Sequence, residues 1–295
     1  MIHICTVHWQ DPRWIDIQLA YIERFVGEPY RLYSIFTGIP AHYREKFFYV
    51  REEDLRLHEA KLNVLADVAW FNRESDEDLL VFLDGDAFPI AELCSFARER
   101  LRDYPLIAVR RDENSGDFQP HPSFCMTTLK FWRSIGGDWN KGFHWRTRDG
   151  RWRTDVGARL YEQLYNGGHD WYALQRSNRV DLHPLYFGLY DDVIYHHGAG
   201  FRQLFSTIDA DYLPWLLWLY DRKVFPRLSN RVRYRINHGR FIAAKNERVS
   251  RMVIERIRRD ADFFALLQQA VTPDALAQEL GIQAKDLLKH PRRSP

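Results

Sequence analysis

Apolar residues follow two different spacings along the first two thirds of the chain. Short, nearly continuous apolar runs predict strands over residues 2–7, 31–36, 47–50, 79–83, 106–109, 123–128 and 193–196. Apolar positions three or four apart predict amphipathic helices over residues 13–25, 57–71, 90–101 and 155–165. The run at 79–83 contains no polar residue, which is typical of a strand buried on both faces of a parallel sheet. The alternation of strands and helices therefore predicts an α/β fold with a mainly parallel sheet flanked by helices.

The pattern becomes mainly helical beyond residue 211, and the charge becomes strongly positive there. Residues 222–259 hold 13 Lys and Arg against two Glu, although the whole chain has a formal net charge of only +2. We therefore expect residues 1–210 to form one α/β domain and residues 211–295 to form a helical, basic and aromatic appendage. The aromatic run at 213–220 suits either an anionic membrane surface or packing against the first domain.

Composition excludes several classes of protein. A chain of 295 residues that is 45% hydrophobic and 15% aromatic can build a sizeable core, so intrinsic disorder is excluded. Its apolar stretches are shorter than the roughly 20 residues that a membrane span needs, and its first residues lack the features of a secretory signal. Cys5, Cys94 and Cys125 show no C-x-x-C spacing, so we expect neither a disulfide framework nor a zinc cluster. These observations favour a cytoplasmic protein.

Two aspartates directly follow the buried strand predicted at residues 79–83. They are Asp84 and Asp86, separated by Gly85. Ligands of open α/β sheets bind beyond the carboxyl ends of strands, and glycine allows a turn and the close approach of a ligand. Carboxylate oxygens suit Mg²⁺ or Mn²⁺, so the two aspartates could share one cation, or one could bind the metal and the other a ribose hydroxyl. The alternative is a surface turn, where Asp and Gly are common.

A second polar segment follows the strand predicted at residues 193–196. It contains His196, His197, Gly198, Gly200 and Arg202. A neutral imidazole can complete a metal shell, glycines let the chain wrap around a ligand, and an arginine can contact a phosphate through two hydrogen bonds. The alternative is a glycine turn with ordinary surface histidines.

These two segments together resemble the GT-A glycosyltransferases. Asp84-Gly85-Asp86 is similar to their DxD motif, and the segment from His196 to Arg202 is similar to their late metal-binding histidine and phosphate-binding glycine loop. The resemblance covers roughly residues 2–205 and implies that residues 1–210 are a catalytic domain. It implies transfer of a hexose from a nucleotide-diphosphate sugar, a UDP-sugar by default, with Mn²⁺ or Mg²⁺ as cofactor. The implied acceptor is a glycan, a lipid-linked molecule or another hydroxyl compound, as in polysaccharide biosynthesis.

The resemblance also implies residues that contact the donor. The loop after the first strand would hold the base and ribose, which makes Thr6 and His8 candidate contacts. Lys61 occupies the place where a helix approaches the nucleotide in this family. Its alternative role is that of a solvated lysine on a helix face.

Three carboxylates are candidates for the base that deprotonates an acceptor hydroxyl. Asp155 starts the helix predicted at 155–165, where it suits either an N-cap or the base of an inverting enzyme. Asp191 and Asp192 are alternatives because they lie close in sequence to the histidines. A retaining mechanism without such a base stays open. The polar segment 112–122 suits recognition of the donor sugar or the acceptor, or is a plain loop.

Two other functions use some of the same features. Nucleotidyltransferases also use paired carboxylates and a divalent cation, but residues 6–13 lack the glycines of their usual phosphate loop. Thr272, Pro273 and Gly281 predict a short helix, since they suit its N-cap, its first position and its end. A second helix after it would resemble a helix-turn-helix, so nucleic-acid binding is the alternative from a different class, although helical hairpins are common.

Overall fold

The structure is a computed structural model, which describes residues 1–53, 55–114, 116–147, 150, 152–180, 182, 187–198, 238–269 and 272–282. The strands of these residues are β1 (Ile2–Trp9), β2 (Tyr30–Thr37), β3 (Tyr49–Arg51), β4 (Leu79–Asp84), β5 (Ala87–Pro89), β6 (Leu106–Val109), β7 (His121–Thr128), β8 (Trp145–Arg146), β9 (Trp152–Arg153), β10 (Tyr172–Leu174), β11 (Gly188–Tyr190) and β12 (Ile194–His196). The α-helices are α1 (Arg13–Phe25), α2 (His58–Phe71), α3 (Leu93–Arg100), α4 (Leu129–Ser134), α5 (Ala158–Asn166), α6 (His238–Arg259), α7 (Ala265–Gln268) and α8 (Pro273–Leu280). A 3-10 helix spans Ala41–Lys46.

Contacts divide the chain into two compact units. The first comprises Met1–Ser177 and Gly188–His196, and the second comprises Asn178–Phe187 and His197–Pro295. The boundary expected at residue 210 lies outside the described residues and stays a prediction.

A seven-stranded sheet forms the centre of the first unit, in the order β10-β6-β7-β4-β1-β2-β3. Strand β1 pairs in parallel with both β2 and β4, whereas β7 runs antiparallel to its neighbours β4 and β6. The predicted fold class is therefore confirmed: it is a mixed α/β fold whose central sheet is mainly parallel and flanked by helices.

Strand β4 shows why its apolar run is uninterrupted. Val81 and Leu83 pack into a core with residues of α1 and α3, whereas Leu80 and Phe82 pack into a second core with residues of α2, α4 and α5. Successive side chains of a strand point to opposite faces, so a strand covered on both faces must be apolar at every position. Beyond Leu83 this requirement ends, and the polar sequence begins.

A small antiparallel sheet, β11-β12-β5, accounts for one shift between the predicted and observed elements. The helix predicted at 90–101 begins three residues later, at Leu93, because the preceding residues form β5 and pair with β12. The backbone N–H of Ile90 continues this pairing by donating to the carbonyl of Val193 over 2.8 Å. The Glu92 carboxylate then caps α3 by accepting from the backbone N–H groups of Cys94 and Ser95.

The expectation that Asp155 is a helix N-cap is wrong. Helix α5 begins at Ala158, and its N-cap is Gly157, which has a φ of 89°. A Cβ at Gly157 would lie 2.1 Å from the carbonyl oxygen of Pro120, so only glycine fits this close approach. The Asp155 carboxylate instead accepts from the N–H of Val156 and pairs with an arginine.

The described helices of the second unit include the short helix predicted from its end residues. In α8 the Thr272 hydroxyl accepts from the N–H of Ala275, Pro273 occupies the first turn, and Gly281 ends the helix with a φ of 66°. This prediction is confirmed. None of the helices in the described ranges has both the length and the apolar character that crossing a bilayer requires. The aromatic run at 213–220, with the membrane role considered for it, lies outside the described residues.

Candidate metal centre

The aspartate pair lies where the central sheet meets the small sheet of the first unit. Strand β4 ends at Asp84, a two-residue turn carries Asp86, and β5 then begins at Ala87. Because Ala87 pairs with His196 of β12, this histidine is brought beside the turn. One ligand atom from each of Asp84, Asp86 and His196 lies within 4.8 Å of the other two. The Nε2 of His196 is 3.6 Å from Oδ2 of Asp84 and 3.5 Å from Oδ1 of Asp86.

This donor set fits a divalent cation. Two carboxylates that lie this close repel each other unless positive charge is near. Carboxylate and imidazole ligands together suit Mn²⁺ and related first-row cations, and two carboxylates also suit Mg²⁺. The three side chains are largely shielded from water, with exposed fractions of 18% for Asp84, 13% for Asp86 and 9% for His196. Shielding strengthens the attraction between such a group and a cation.

The Asp84 carboxyl is held in its ionised form. Burial by itself raises the pKa of this group, but the adjacent imidazole of His58 and the charge of His196 outweigh burial and lower the pKa below its ordinary value. The Nε2 of His58 lies 3.0 Å from Oδ1 of Asp84. An ionised carboxylate is the form that binds a metal ion.

The turn is held from below by Gln18, a fully buried residue of α1. Its Nε2 donates to the carbonyl oxygens of Asp84 and Ala87, over 2.8 Å and 2.7 Å. Its Oε1 accepts from the Thr6 hydroxyl over 3.2 Å. These two donated bonds flank the turn, so Gln18 fixes the backbone that carries both aspartates.

Glycine is required at position 85 because another part of the same chain lies very close to its backbone. A Cβ at this position would lie 2.5 Å from the carbonyl oxygen of Val7 and 2.8 Å from Nδ1 of His8. The end of β1 therefore packs directly against the turn. The close approach of a ligand expected at Gly85 stays a prediction, and the close approach that the structure shows is that of β1.

Thr6 and His8 lie in the interior beneath the turn. The Thr6 hydroxyl donates to Gln18, and the His8 ring is only 2% exposed. Burial lowers the pKa of His8 to about 3, so its imidazole is neutral. Both side chains support the turn, and their contact with a donor stays a prediction.

Lys61 does not lie on a solvated helix face, so that alternative is wrong. Only 4% of this residue is exposed, and its Nζ donates to the Thr37 hydroxyl over 3.1 Å. Thr37 ends β2 and pairs with Trp9, which ends β1 and is 50% exposed. Lys61 and Trp9 are thus both placed near the carboxyl end of the same strand pair.

The two adjacent histidines have different partners. His196 faces the carboxylates in the first unit, whereas Nε2 of His197 lies 2.7 Å from the Ser250 hydroxyl of α6 in the second unit. The His197 ring also stacks on Phe187, with 5.8 Å between ring centroids. Of the two candidate metal ligands, His196 is the one that lies with the aspartates.

The glycine loop is described only at its beginning. Gly198 has a φ of 79°, a left-handed conformation that favours glycine. Gly200 and Arg202 lie outside the described residues, so their predicted phosphate contacts stay predictions.

Asp155 belongs to a buried group of charges. One of its carboxylate oxygens lies 3.1 Å from Arg153 and 3.7 Å from Arg111, and both arginines also pair with Asp117. Burial by itself raises the pKa of Asp155, but the two arginines outweigh it and lower the pKa. Asp155 is therefore ionised, and two arginine side chains already pair with its carboxylate. Its role as a base stays a prediction.

Asp191 and Asp192 form the turn between β11 and β12. Both have positive φ, 46° and 55°. The Asp191 carboxylate accepts from the Tyr172 hydroxyl and from the N–H of Gln175, each over 2.9 Å, and Asp192 accepts from the Ser177 hydroxyl. These bonds stabilise the hairpin that delivers His196, and the proposed base role of either residue stays a prediction.

Sequence reasoning missed three residues around this centre. Gln18 holds the turn, His58 contacts Asp84, and the His121 ring centroid lies 5.9 Å from that of His196. Burial and the charge of Arg111 lower the pKa of His121 well below its ordinary value, so it is neutral. None of the three stands in a recognisable motif; His121 alone gave a signal, because it lies in the polar segment 112–122.

Comparison with known proteins gives similarities in structure. No protein-family model and no curated protein matches the sequence. One similar solved structure is the mannosyltransferase PcManGT from Pyrobaculum calidifontis, in complex with GDP-Man and Mn²⁺, at 14% identity and a TM-score of 0.40, covering 58% of this chain and 54% of that one. Another is S. aureus TarS, at 10% identity and a TM-score of 0.45, covering 90% of this chain and 54% of that one.

A third similar structure is the galactosyltransferase LgtC in complex with donor and acceptor sugar analogues. It is 13% identical, with a TM-score of 0.32, and the match covers 59% of this chain and 73% of that one. The chain thus spans about half the length of the first two proteins. By name, PcManGT is a mannosyltransferase and LgtC is a galactosyltransferase.

Proposed function

We propose that this protein is a metal-dependent glycosyltransferase. It moves a hexose from a nucleotide-diphosphate sugar, a UDP-sugar by default, to a hydroxyl of a glycan or lipid-linked acceptor. The observation that carries this proposal is the convergence of Asp84, Asp86 and His196 at the carboxyl end of β4. Ligands of open α/β sheets bind at this end, and a diphosphate needs a cation to offset its charge.

Asp84, Asp86 and His196 would hold the cation, Mn²⁺ or Mg²⁺. When bound, such a cation neutralises negative charge on the departing diphosphate. The ionised Asp84 carboxylate and the turn fixed by Gln18 are set before the donor arrives, which favours stabilisation by preorganised charge. Lys61 would supply further positive charge toward the phosphates. Arg202 stays a candidate phosphate contact on the strength of the sequence alone.

In the transfer step, the bond between the sugar C1 and the diphosphate oxygen breaks, and a bond from C1 to the acceptor oxygen forms. The nucleoside diphosphate leaves with the bonding electron pair, and the acceptor loses its hydroxyl proton. Asp155, Asp191 and Asp192 are the candidate bases for that proton in an inverting reaction. In a retaining reaction the proton passes to the leaving diphosphate.

The test is release of nucleoside diphosphate by the full chain. UDP- and GDP-sugars are incubated with Mn²⁺ and sugar or lipid-linked acceptors, and the released nucleotide and the new glycoside are quantified. We expect Asp86→Ala to lower kcat/KM about 1,000-fold, roughly 4 kcal/mol, because a ligand of the charge-neutralising cation is lost. Asp67→Ala removes an exposed carboxylate on α2 and should leave turnover unchanged.

Wild-type turnover by Asp86→Ala would overturn the metal assignment. Release of pyrophosphate from a nucleoside triphosphate and a sugar phosphate, with no glycoside formed, would identify a nucleotidyltransferase instead. Polysaccharide biosynthesis in the cytoplasm, with peripheral attachment to an anionic membrane, is the setting we propose. Co-sedimentation with anionic liposomes at low and high salt tests the attachment, and a gel shift tests the nucleic-acid alternative.

A further inference from the structure

His58 stands next to the candidate metal centre without belonging to its ligand set. In the described part of the chain, the converging ligand group consists of Asp84, Asp86 and His196. The Nε2 of His58 is 3.0 Å from Oδ1 of Asp84, whereas the Nε2 of His196 is 3.6 Å from Oδ2. The two oxygens of this carboxylate therefore face different imidazoles.

We propose that His58 is a positioning residue that holds Oδ1 of Asp84 and so presents Oδ2 to the cation. The terminal torsion of an aspartate is soft, so a carboxylate with no partner on one oxygen can rotate. The contact of the His58 imidazole with Oδ1, at 3.0 Å, restrains this rotation. Partners of this kind, bonded to a metal ligand rather than to the metal, orient the ligand and raise metal affinity. The inference rests on the cation site of the proposed function.

The fold places His58 firmly enough for this task. It is the first residue of α2, and the next turns of that helix are anchored on the sheet side. Leu62 and Leu65 are fully buried in the core, and the Asn63 amide donates to Asp138 over 2.7 Å. The His58 side chain is 37% exposed, so its removal leaves no cavity in the core.

The experiment measures Mn²⁺ binding directly, by the loss of the free-ion signal in electron paramagnetic resonance during titration of the full chain. We expect His58→Ala to raise the Kd for Mn²⁺ about 10- to 100-fold. His58→Gln keeps an N–H donor on the side chain and should recover part of this loss. His144→Ala removes an exposed histidine of the same unit and should bind Mn²⁺ as the wild type does.

Kinetics give a second readout. With His58→Ala, the Mn²⁺ concentration needed for half-maximal turnover should rise with the Kd, while kcat at saturating Mn²⁺ should fall less than tenfold. A role limited to folding would instead lower the metal-free melting temperature and would show no recovery with His58→Gln.

The outcomes separate this inference from the proposed function. If the wild type binds Mn²⁺, Asp86→Ala does not, and His58→Ala binds with wild-type affinity, the positioning role is wrong and the cation site stands. If the wild type binds neither Mn²⁺ nor Mg²⁺ and still transfers sugar, the cation site is wrong and His58 has no ligand to position.

Discussion

Two histidine–aspartate groups lie at opposite ends of the same pair of strands, β1 and β4. At the amino end, His3 of β1 meets Asp78, which directly precedes β4; at the carboxyl end, Asp84 of β4 meets His58 and His196. The residue types are the same at both ends. Their partners differ, and the difference separates a structural group from a candidate binding site.

At the amino end, hydrogen-bond donors surround the single carboxylate. The His3 ring contacts two partners: its Nδ1 is 2.8 Å from the Tyr33 hydroxyl, and its Nε2 is 3.1 Å from Oδ2 of Asp78. The backbone N–H groups of Glu74 and Ser75 donate to that same oxygen. Burial by itself raises the pKa of Asp78, but these hydrogen bonds outweigh it and lower the pKa to about 2. The group is complete in itself and ties the start of β4 to β1 and β2.

At the carboxyl end, a carboxylate is set against a second carboxylate. Asp84 and Asp86 bring oxygens together beside Nε2 of His196, and His58 contacts the other oxygen of Asp84. This arrangement favours an added cation, whereas the arrangement around Asp78 needs none. Two carboxylates that meet each other therefore mark the candidate binding site more clearly than the presence of His and Asp does.

The largest expected effect comes from removing one carboxylate at each end. Asp78→Ala leaves the partners of a buried carboxylate unpaired and should lower the free energy of unfolding by about 3 kcal/mol. Asp86→Ala relieves repulsion between carboxylates, so without metal it should change the free energy of unfolding by less than about 1 kcal/mol. Urea unfolding followed by circular dichroism measures both, and equal destabilisation would break the comparison.

The second effect is stabilisation by metal. Mn²⁺ at 100 times its Kd should raise the free energy of unfolding of the wild type by about 2.7 kcal/mol, because the ion binds the folded state. Asp78→Asn should keep this gain, since Asp78 lies at the other end of β4, and Asp86→Ala should lose it. Thermal melting with Mn²⁺ and with a chelator is the measurement, and a gain that survives Asp86→Ala contradicts the site.

The third effect is a pH dependence at the amino end. The pKa of Asp78 is about 2 in the folded chain against an ordinary value of 3.8, so its ionised form stabilises the fold above pH 3.8. This contribution, about 2 kcal/mol, should be lost as the pH falls from about 5 to 2. The difference in unfolding free energy between wild type and Asp78→Asn should shrink over that range; a constant difference would contradict the assignment.

The smallest effect concerns the end of β1. Trp9 is half exposed and pairs with Thr37, the residue that Lys61 contacts, and we expect it to stack on the nucleobase of the proposed donor. Stacking of this kind contributes about 1–3 kcal/mol, so Trp9→Ala should raise KM for the donor about tenfold and leave kcat unchanged. Phe71→Ala, which removes an exposed aromatic ring at the end of α2, is the matched control. An equal change in both variants would contradict the role of Trp9.

The long elements could be predicted because their signals are local. Helix α1 has the predicted bounds, and β4 extends one residue past the predicted run, to Asp84. The three-residue strand β5 was missed, because its apolar residues read as the approach to a helix. That omission mattered, since β5 is the strand that pairs with β12 and brings His196 to the aspartates.

As with the fold, the parts of the candidate site that depend on neighbouring residues in the sequence could be predicted, and the parts that depend on distant residues could not. Asp84 and Asp86 were found because a buried strand ends beside them. The choice between His196 and His197 depends on strand pairing, because His196 is the last residue of β12 and pairs with Ala87, whereas His197 lies beyond the strand. His58 contacts Asp84 across 26 positions of sequence, and no spacing rule connects the two.

The amino-acid order alone determined the α/β class, the strand buried on both faces and the carboxylate pair at its end, because each depends on residues that are close in sequence. Only the tertiary structure decided which histidine joins the pair, that Gln18 and His58 support it, and that Asp155 lies between two arginines. Those contacts arise where separate elements pack together. Packing is set by the summed burial of many apolar side chains, which no short stretch of sequence records.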